Sequence, residues 1–581
     1  MTEMRTEDTD VLVVGGGPTG LIASALLGRQ GVDAITITKH GSTRSHPRAV
    51  YINQRTVEIF RELGAEDELR RVGIPIRTLG NNVWATSFAG TELARIHAWG
   101  TGPDRRGEYE ATSPCEILNA PQHALEPVAL DAARKAGAEI RFQAELEDLT
   151  EDDHYVTATI HDWASGQRYR VRARYLIGAD GGGSLVAQKS GIPYEAKSGV
   201  LNRAVNVFLE TDLSEYCAHR PALMYCIYPP GERFHSCTWI TISPWSEWVM
   251  SVIYPSDEEP ALDEQEAIGY ARAMIGNPDA DVRVNAMTTW SVDKAVAATF
   301  RRGRILLAGD SAHRNPPPNG LGSNTGMQDA LNLCWKLAMV LHGHAGDDLL
   351  DSYHAERKAV ANAVLGQTMQ SLRYMDDLVR ALGVDAEPST DRAWQEVAEL
   401  SADSERGRQR RRELRHALEL QQYHFNCHGT EAGIPYTEQA RQEDGEAPRR
   451  SASEQLHYMP STAAGHHLPH AWIERDRMSM STLDVAPGDR FTLITGASGA
   501  QWADAAEHAS RRLGLPIATV VIDHFQQYHD TYGTWADVRE VDEDGCLLVR
   551  PDHRIAWRSP GPAAAPADEL HNALSAALGN G

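Results

Sequence analysis

Residues 9 to 38 constrain the fold of this chain more than any other stretch. A β-branched run, Thr9-Asp10-Val11-Leu12-Val13-Val14, leads directly into Gly15-Gly16-Gly17-Pro18-Thr19-Gly20. Leu21-Ile22-Ala23-Ser24-Ala25-Leu26-Leu27 follows with helical composition, and Ala34-Ile35-Thr36-Ile37-Thr38 returns to a strand pattern. The reading is a βαβ unit whose turn has the spacing G-x-G-x-x-G. The three glycines serve different ends: Gly15 makes the tight turn, Gly17 lets the backbone approach a pyrophosphate, and Gly20 lets helix and strand pack closely. The unpaired N–H groups and the positive dipole end of the helix start then face the phosphates. The acidic residue that usually grips the adenosine ribose about 20 positions on is replaced by Lys39.

Two further apolar strands end in the same way. Tyr175-Leu176-Ile177-Gly178-Ala179 precedes Asp180-Gly181, and Arg304-Ile305-Leu306-Leu307-Ala308 precedes Gly309-Asp310. Three strands that each stop at glycine or aspartate predict the ligand-facing carboxyl edge of an α/β sheet. After Gly309 the chain runs through a proline- and glycine-rich loop to a helix starting at about Ser323. There a strand-end aspartate can accept from a cofactor hydroxyl, and the helix dipole can stabilise negative charge on a reduced flavin ring.

The rest of the chain divides by pattern. Residues 200–290 hold strand-like runs broken by Pro/Gly turns and predict a mostly antiparallel sheet inserted between the two parts of the first domain, 1–199 and 291–428. From Gln328 to about Tyr423 the pattern is helical, with the arginine-rich Glu405–Arg415 read as a solvated helix face. Residues 429–469 read as a linker or wrapping arm, and 470–581 as a small separate α/β domain.

Composition excludes several function classes. The 581 residues include 80 acidic and 56 basic side chains, a formal charge of −24, which argues against nucleic acid as a partner. Hydrophobic residues at 42% and charged residues at 23% are globular proportions. No run of about 18 apolar residues occurs and the start MTEMRTEDTD is acidic, so a soluble cytoplasmic protein with no membrane partner is expected. Seven scattered cysteines without a C-x-x-C pair predict reduced thiols and no metal site.

Together, Gly15 to Gly20, Asp180-Gly181 and the Gly309-Asp310 stretch resemble the three fingerprints of class A flavin monooxygenases of the p-hydroxybenzoate hydroxylase fold. Pro47-Arg48-Ala49, Asn53-Gln54-Arg55-Thr56, His424-Phe425-Asn426, Gly433-x-x-Tyr436, His470-Ala471-Trp472 and Val549-Arg550-Pro551-Asp552 resemble the 2,4-dichlorophenol 6-monooxygenase and phenol hydroxylase branch. The resemblance implies an α/β fold: a Rossmann-like FAD domain, an inserted antiparallel substrate sheet and a C-terminal thioredoxin-like domain. It implies FAD held by Gly15, Gly17, Pro18, Thr19 and Gly20, with Lys39 by the ribose, and contacts from Arg48 and Gln122. Asp180 belongs to the second fingerprint and Asp310 matches the ribityl-binding aspartate. Pro317 and the loop from Gly320 through Gly322 and Ser323 to Asn324 match the segment beside the isoalloxazine.

The activity implied is hydroxylation of a phenolic or heteroaromatic substrate with O2 and NADPH or NADH, through a flavin C4a-hydroperoxide. A homo-oligomer is implied as well. Two positions depart from the pattern: Ala187 stands where the second fingerprint carries an arginine, and Val50 where some phenol hydroxylases carry an aspartate. With Val50 in place, the phenol proton acceptor is sought in the middle sheet among Tyr225, Tyr228 and His235, with Tyr225 and His235 as the catalytic candidates. Cys546 is the one cysteine of the C-terminal domain, which therefore has no dithiol for redox work and is read as structural or oligomeric. The alternatives are a flavin halogenase, whose W-x-W-x-I-P the string Trp239-Ile240-Thr241-Ile242-Ser243-Pro244 fails to match, and a non-catalytic flavin-binding protein.

Overall fold

Strand Thr6–Val14 has Val11, Leu12 and Val13 fully buried, on both of its faces, as the interior strand of a parallel sheet must. In the computed structural model, which describes residues 4–195, 198–229, 237–384, 390–436 and 451–579, this strand lies at the centre of the first sheet. It pairs in parallel with Gln167–Gly178 on one side (Val14↔Gly178) and with Ala34–Thr38 on the other (Val11↔Ala34). Ile305–Leu307 adds in parallel beyond Gln167–Gly178. The carboxyl ends of the three fingerprint strands are therefore neighbours, and Gly15, Asp180 and Asp310 meet along one edge. Helices Pro18–Arg29 and Gly322–Leu341 pack over the sheet, their Leu21, Ile22, Met327, Leu333 and Leu337 sharing one core with the strands.

The second sheet has seven strands in the order Arg283–Val292, Asn202–Glu210, Glu247–Pro255, Cys237–Ser243, Met224–Ile227, Asn81–Ala85, Glu92–His97. This corrects the boundary drawn from the sequence, because the last two strands come from the segment assigned to the FAD domain. Asn81-Asn82-Val83-Trp84-Ala85 is short and carries two asparagines, and it is held as a strand by pairing in parallel with Met224–Ile227 on one side and antiparallel with Glu92–His97 on the other. The period-2 alternation gives this sheet two distinct faces. Val205, Val207 and Leu209 point back onto helix Glu264–Ile275, against Ala267, Ala271, Met274 and Ile275. Asn206 and Phe208 point forward, half-buried, towards the FAD domain.

The C-terminal unit is a four-stranded sheet in the order Ile517–Val521, Phe491–Thr495, Cys546–Val549, Ile555–Ser559, with only the first pair parallel. Helices Ala500–Leu513 and Pro566–Ala577 cover it through Trp502, Ala509, Leu570 and Leu574. It is less separate than the sequence pattern implies: the same cluster contains Trp335 and Met339 of the Gly322–Leu341 helix, and the Trp335 and Phe491 rings meet edge to face at 5.8 Å. Of the stretch read as a linker, residues 437–450 lie outside those described, while the flanking Glu431, Ser461, Thr462 and Leu468 are buried against the body. No described helix is long and apolar enough to cross a membrane.

Candidate functional site

The three glycines of the first turn divide their work as their spacing predicts. Gly15 has φ +124°, and a Cβ there would lie 2.1 Å from the Ala179 carbonyl oxygen. A Cβ at Gly20 would lie 1.9 Å from the Gly15 carbonyl oxygen, so helix and strand touch through bare backbone. At Gly17 nothing lies within 4 Å, leaving open space in front of the helix that Pro18 begins. Thr19 has a packing function that no sequence motif marks. Its Oγ1 would lie 2.6 Å from a Cβ at either Gly309 or Gly326, so its side chain wedges between the third fingerprint and the Gly322–Leu341 helix. Gly17→Ala should leave the melting temperature of the apoprotein unchanged and weaken FAD binding about tenfold or more, as read by flavin titration, because the new methyl group fills only the space a phosphate would take.

The two aspartates differ sharply. Asp180 is fully engaged: its carboxylate accepts from Ser184 Oγ (2.6 Å), Leu185 N (2.7 Å) and Val186 N (3.1 Å), capping the short helix Leu185–Ser190. Asp310, on a one-turn 3₁₀ helix at Gly309–Ser311, is exposed and its carboxylate accepts no hydrogen bond among the described residues. Burial of its surroundings nevertheless pushes its pKa up, against the pull of His313, Arg314 and Arg48. Solvent access combined with dense surroundings places Asp310 on the floor of a cleft, where an unengaged acid suits a polyhydroxyl chain.

Arg48 and Gln122 are brought together, the Gln122 N–H donating to the Arg48 carbonyl at 2.7 Å. The half-buried Arg48 guanidinium is close enough to Asp310 for each to feel the other's charge. Gln122 Nε2 donates to Glu126 Oε1 at 2.6 Å. Lys39 is exposed at the end of its strand.

Pro317 and Gly320 are exposed on the loop, Gly320 at φ +66°; Gly322 opens the helix and Ser323 is half-buried in its first turn. Asn324 has a different role from the one expected. It is fully buried, its Nδ2 donating to Tyr51 O (2.9 Å) and Gly320 O (2.8 Å) and its Oδ1 accepting from Asn53 N (3.0 Å). Its side chain clamps the loop to the strand at Tyr51 and is not available to a cofactor. Beneath the third fingerprint lies Asp329, which no sequence motif singles out. It accepts from Gly309 N (3.0 Å), His313 Nε2 (2.7 Å) and Arg357 Nε (2.7 Å). Burial works against its charge, but Arg357 and His313 outweigh burial and hold its pKa below the usual carboxylate value.

The expected proton acceptors fare poorly. Tyr225 lies on the back face of the sheet, its ring against Phe88 and Trp248. Its hydroxyl donates to Arg220 O (2.9 Å) and accepts from Ala222 N (3.2 Å), and burial pushes its pKa far up. It is a core residue facing away from the cleft. Tyr228 falls on the opposite side, in the hydrophobic cluster that also includes Trp84, Trp99 and Leu321, but burial raises the pKa of its hydroxyl too. His235 lies outside the described residues.

The front face instead meets His46 and His123, whose rings lie 6.2 Å and 6.4 Å from that of Phe208. His46 Nδ1 is 2.9 Å from the Pro47 carbonyl, which fixes the proton there and leaves Nε2 as a buried lone pair without a partner. Burial lowers its pKa and, with help from Arg48 and His123, prevails over the opposing pull of the Pro47 and Asn206 backbone, so this imidazole is held neutral. Asn206 Oδ1 and Thr288 Oγ1, on directly paired residues of the sheet, are also buried and unpartnered. Two histidines flanking Arg48 and Gln122 in sequence were the available signal.

Residues 8–368 match the family described as FAD binding domain, and 461–581 match the aromatic-ring hydroxylase C-terminal family. The chain belongs to the FAD-dependent aromatic-ring hydroxylases. It is 38% identical to 2,4-dichlorophenol 6-monooxygenase of Delftia acidovorans over 98% of both chains. It is 39% identical to phenol 2-monooxygenase of Pseudomonas sp. (strain EST1001), covering 99% of this chain and 93% of that one. Among solved structures, the flavin-dependent monooxygenase PieE, in complex with FAD and substrate, superposes with a TM-score of 0.95 at 40% identity, over 99% of this chain and all of PieE. The hydroxylase is thus an FAD-dependent aromatic monooxygenase of the p-hydroxybenzoate hydroxylase fold that uses NAD(P)H. Its open Gly17 face and unengaged Asp310 fit that cofactor.

Proposed function

We propose that this hydroxylase oxygenates a small phenolic or hydroxylated heteroaromatic ring, drawing on NADH or NADPH in the cytoplasm. Full-length similarity to phenol and chlorophenol monooxygenases supports the substrate class. The carrying structural observation is His46 itself, two residues before Arg48 and against Phe208 on the front of the sheet, whose buried Nε2 has no hydrogen-bond partner among the described residues. Bound FAD supplies the activation of O2 and the transfer of one oxygen atom to the ring.

The chain's own residues bind, orient and manage the proton. Gly15, Gly17, Gly20 and the Pro18–Thr19 backbone would hold the pyrophosphate of FAD, Arg48 would contact the cofactor, and Asp310 would accept from the ribityl hydroxyls. Pro317, Gly320, Gly322 and Ser323 would line the flavin ring. Phe208 and the apolar side chains around Leu321 exclude water. His46 Nε2 takes the ring hydroxyl proton as oxygen transfer proceeds, with Asn206 and Thr288 available to polar ring substituents. In this arrangement His46 replaces Tyr225 as the base. Because its pKa is lowered, His46 works best on hydroxyls more acidic than that of phenol itself, which favours halogenated, nitro-substituted or hydroxypyridine-type rings.

The homo-oligomer implied by the family is also proposed. The exposed Trp472, Met478, Phe525 and Tyr532 of the C-terminal unit supply apolar surface for it.

The test is substrate-stimulated NAD(P)H oxidation over a panel of phenols and hydroxypyridines, with products identified by mass. His46→Gln should keep FAD and substrate-triggered NAD(P)H oxidation, lower hydroxylated product by about 10²-fold and release the balance as H2O2. Wild-type product yield in that variant would remove His46 from the mechanism.

A further inference from the structure

A second titratable cluster lies behind the flavin-facing loop and plays no part in the chemistry above. Its centre is Glu431, 8% exposed, on the short helix His428–Ala432. Tyr51 Oη donates to Glu431 Oε2 at 2.7 Å, and Cys427 Sγ lies 3.5 Å from Oε1. Cys427 Sγ in turn receives Asn319 Nδ2 at 3.3 Å, the same amide that donates to Tyr423 O (2.9 Å) and His424 O (3.0 Å). Asn319 holds φ +69° within the Pro317–Leu321 loop. The ring of Tyr51 packs under Gly320, where a Cβ would come within 3.1 Å of Cδ1. Two adjacent residues at the centre of the loop are thus tied to one carboxyl group, Asn319 through Cys427 and Gly320 through its contact with Tyr51.

The charged and titratable groups facing Glu431 are Tyr51, Tyr109, Cys427, Arg105 and Glu108, with Arg55, Arg357 and Arg554 on the wall of the adjoining cavity. None of the arginines forms an ion pair with Glu431. Arg55 pairs with Glu58, Arg105 with Glu108 and Arg357 with Asp329, and Arg554 donates to the carbonyls of Ile434 and Gly465. Both contacts to Glu431 come from donors, the arrangement of an ionised carboxylate, which accepts only.

We propose that Glu431 is a positioning residue whose ionised form holds the Pro317–Leu321 loop in place, through Tyr51 and Cys427, and so makes oxygen transfer depend on its protonation. This rests on the assignment of that loop to the flavin ring. Burial, opposed by the Tyr51 and Cys427 hydrogen bonds and by Arg105, pushes the Glu431 pKa up to about 7. The direction follows: above pH 7 the carboxylate accepts from both donors, and below it the added proton leaves one donor without an acceptor and loosens the loop.

Two measurements test this. In the FAD-loaded full chain, infrared difference spectra should show a protonated carboxyl band that titrates near pH 7 and is missing in Glu431→Gln. The ratio of hydroxylated product to NAD(P)H consumed should fall with the same midpoint in the wild type and be flat from pH 6 to 8 in Glu431→Gln. Tyr51→Phe removes a donor to the charged form, so the midpoint should rise by about one pH unit. A carboxyl band that persists in Glu431→Gln, or a wild-type coupling profile in that variant, overturns the proposal. An unmoved midpoint in Tyr51→Phe does so even if Glu431→Gln fails to fold. If no aromatic compound is hydroxylated at all, the assigned activity fails instead, and the infrared titration still decides whether Glu431 ionises there.

Discussion

Asp310→Ala should yield a protein that purifies largely without flavin, with FAD affinity reduced by about 10²-fold, whereas Asp180→Ala should keep its flavin and lose stability instead. The two residues look alike in sequence, each an aspartate beside a glycine at the end of an apolar strand. Their surroundings separate them. Asp180 has three donors on its carboxylate, two of them backbone N–H groups at the start of its own helix. Removing it uncovers those donors and costs about 0.5–2 kcal/mol of cap energy. Asp310 has no donor among the described residues, so the apoprotein loses nothing by its removal. A charge-assisted hydrogen bond from a ligand hydroxyl is worth about 1.5–3 kcal/mol, and two hydroxyls on one carboxylate account for the hundredfold loss. Flavin absorbance per protein and thermal melting of both variants check this; equal flavin loss would show that the second fingerprint also touches the cofactor.

What the sequence made legible was what is local. The glycine turn could be assigned glycine by glycine because the reasons at Gly15 and Gly20, a positive φ and a backbone contact under 2.5 Å, act within one βαβ unit. Strand composition likewise marked the three carboxyl ends. Tyr225 shows where that legibility stopped. The run Met224-Tyr225-Cys226-Ile227 alternates, but which half of the alternation faces the cleft is set by partners far away, Asn81–Ala85 on one side and Cys237–Ser243 on the other. A choice between two faces depends on such register, and here it places Cys226 forward and the tyrosine back. Asn324 belongs to the expected loop yet serves it as a clamp. His46, Asp329 and Glu431 carry no motif of their own; each acquires meaning only when a segment distant in sequence supplies or withholds a hydrogen-bond partner.

Replacing Arg550 by Met should destabilise the hydroxylase by about 3–5 kcal/mol while leaving no dithiol-type defect, since this residue and not a cysteine is what the C-terminal domain contributes. Val549-Arg550-Pro551-Asp552 ends a strand of that domain and drives a fully buried guanidinium against the FAD domain. Arg550 donates to Glu356 Oε1 (2.7 Å) and Oε2 (3.0 Å) and to Asp552 Oδ1 (2.9 Å) and Oδ2 (2.6 Å). Lys336 Nζ (2.7 Å) and Asn332 Nδ2 (2.6 Å) complete the shell on Glu356, both from the helix that starts at the flavin loop. Two cations meet two anions, so the cluster is neutral with every charge paired. Loss of Arg550 leaves two buried carboxylates sharing one lysine, and one of them must take up a proton. Burial opposes the Glu356 charge, but Arg550 and Lys336 together hold its pKa well below the usual value. A depressed acid contributes stability above its unfolded pKa of about 4.5, lost as pH falls. In Arg550→Met one of the two carboxyls has its pKa raised instead, a penalty present at neutral pH and relieved as protonation sets in, while the wild type keeps its Glu356 contribution down to about pH 4.5, so the gap between the two melting curves should be widest near neutrality and narrow towards about pH 4. Arg550→Met combined with Asp552→Asn leaves a plain Lys336–Glu356 pair and should recover part of the loss. Cys546→Ser, at a thiol that burial keeps protonated, should leave kcat unchanged. If Arg550→Met melts like the wild type while Cys546→Ser loses turnover, the domain is a redox module after all and the ionic cluster is incidental to it.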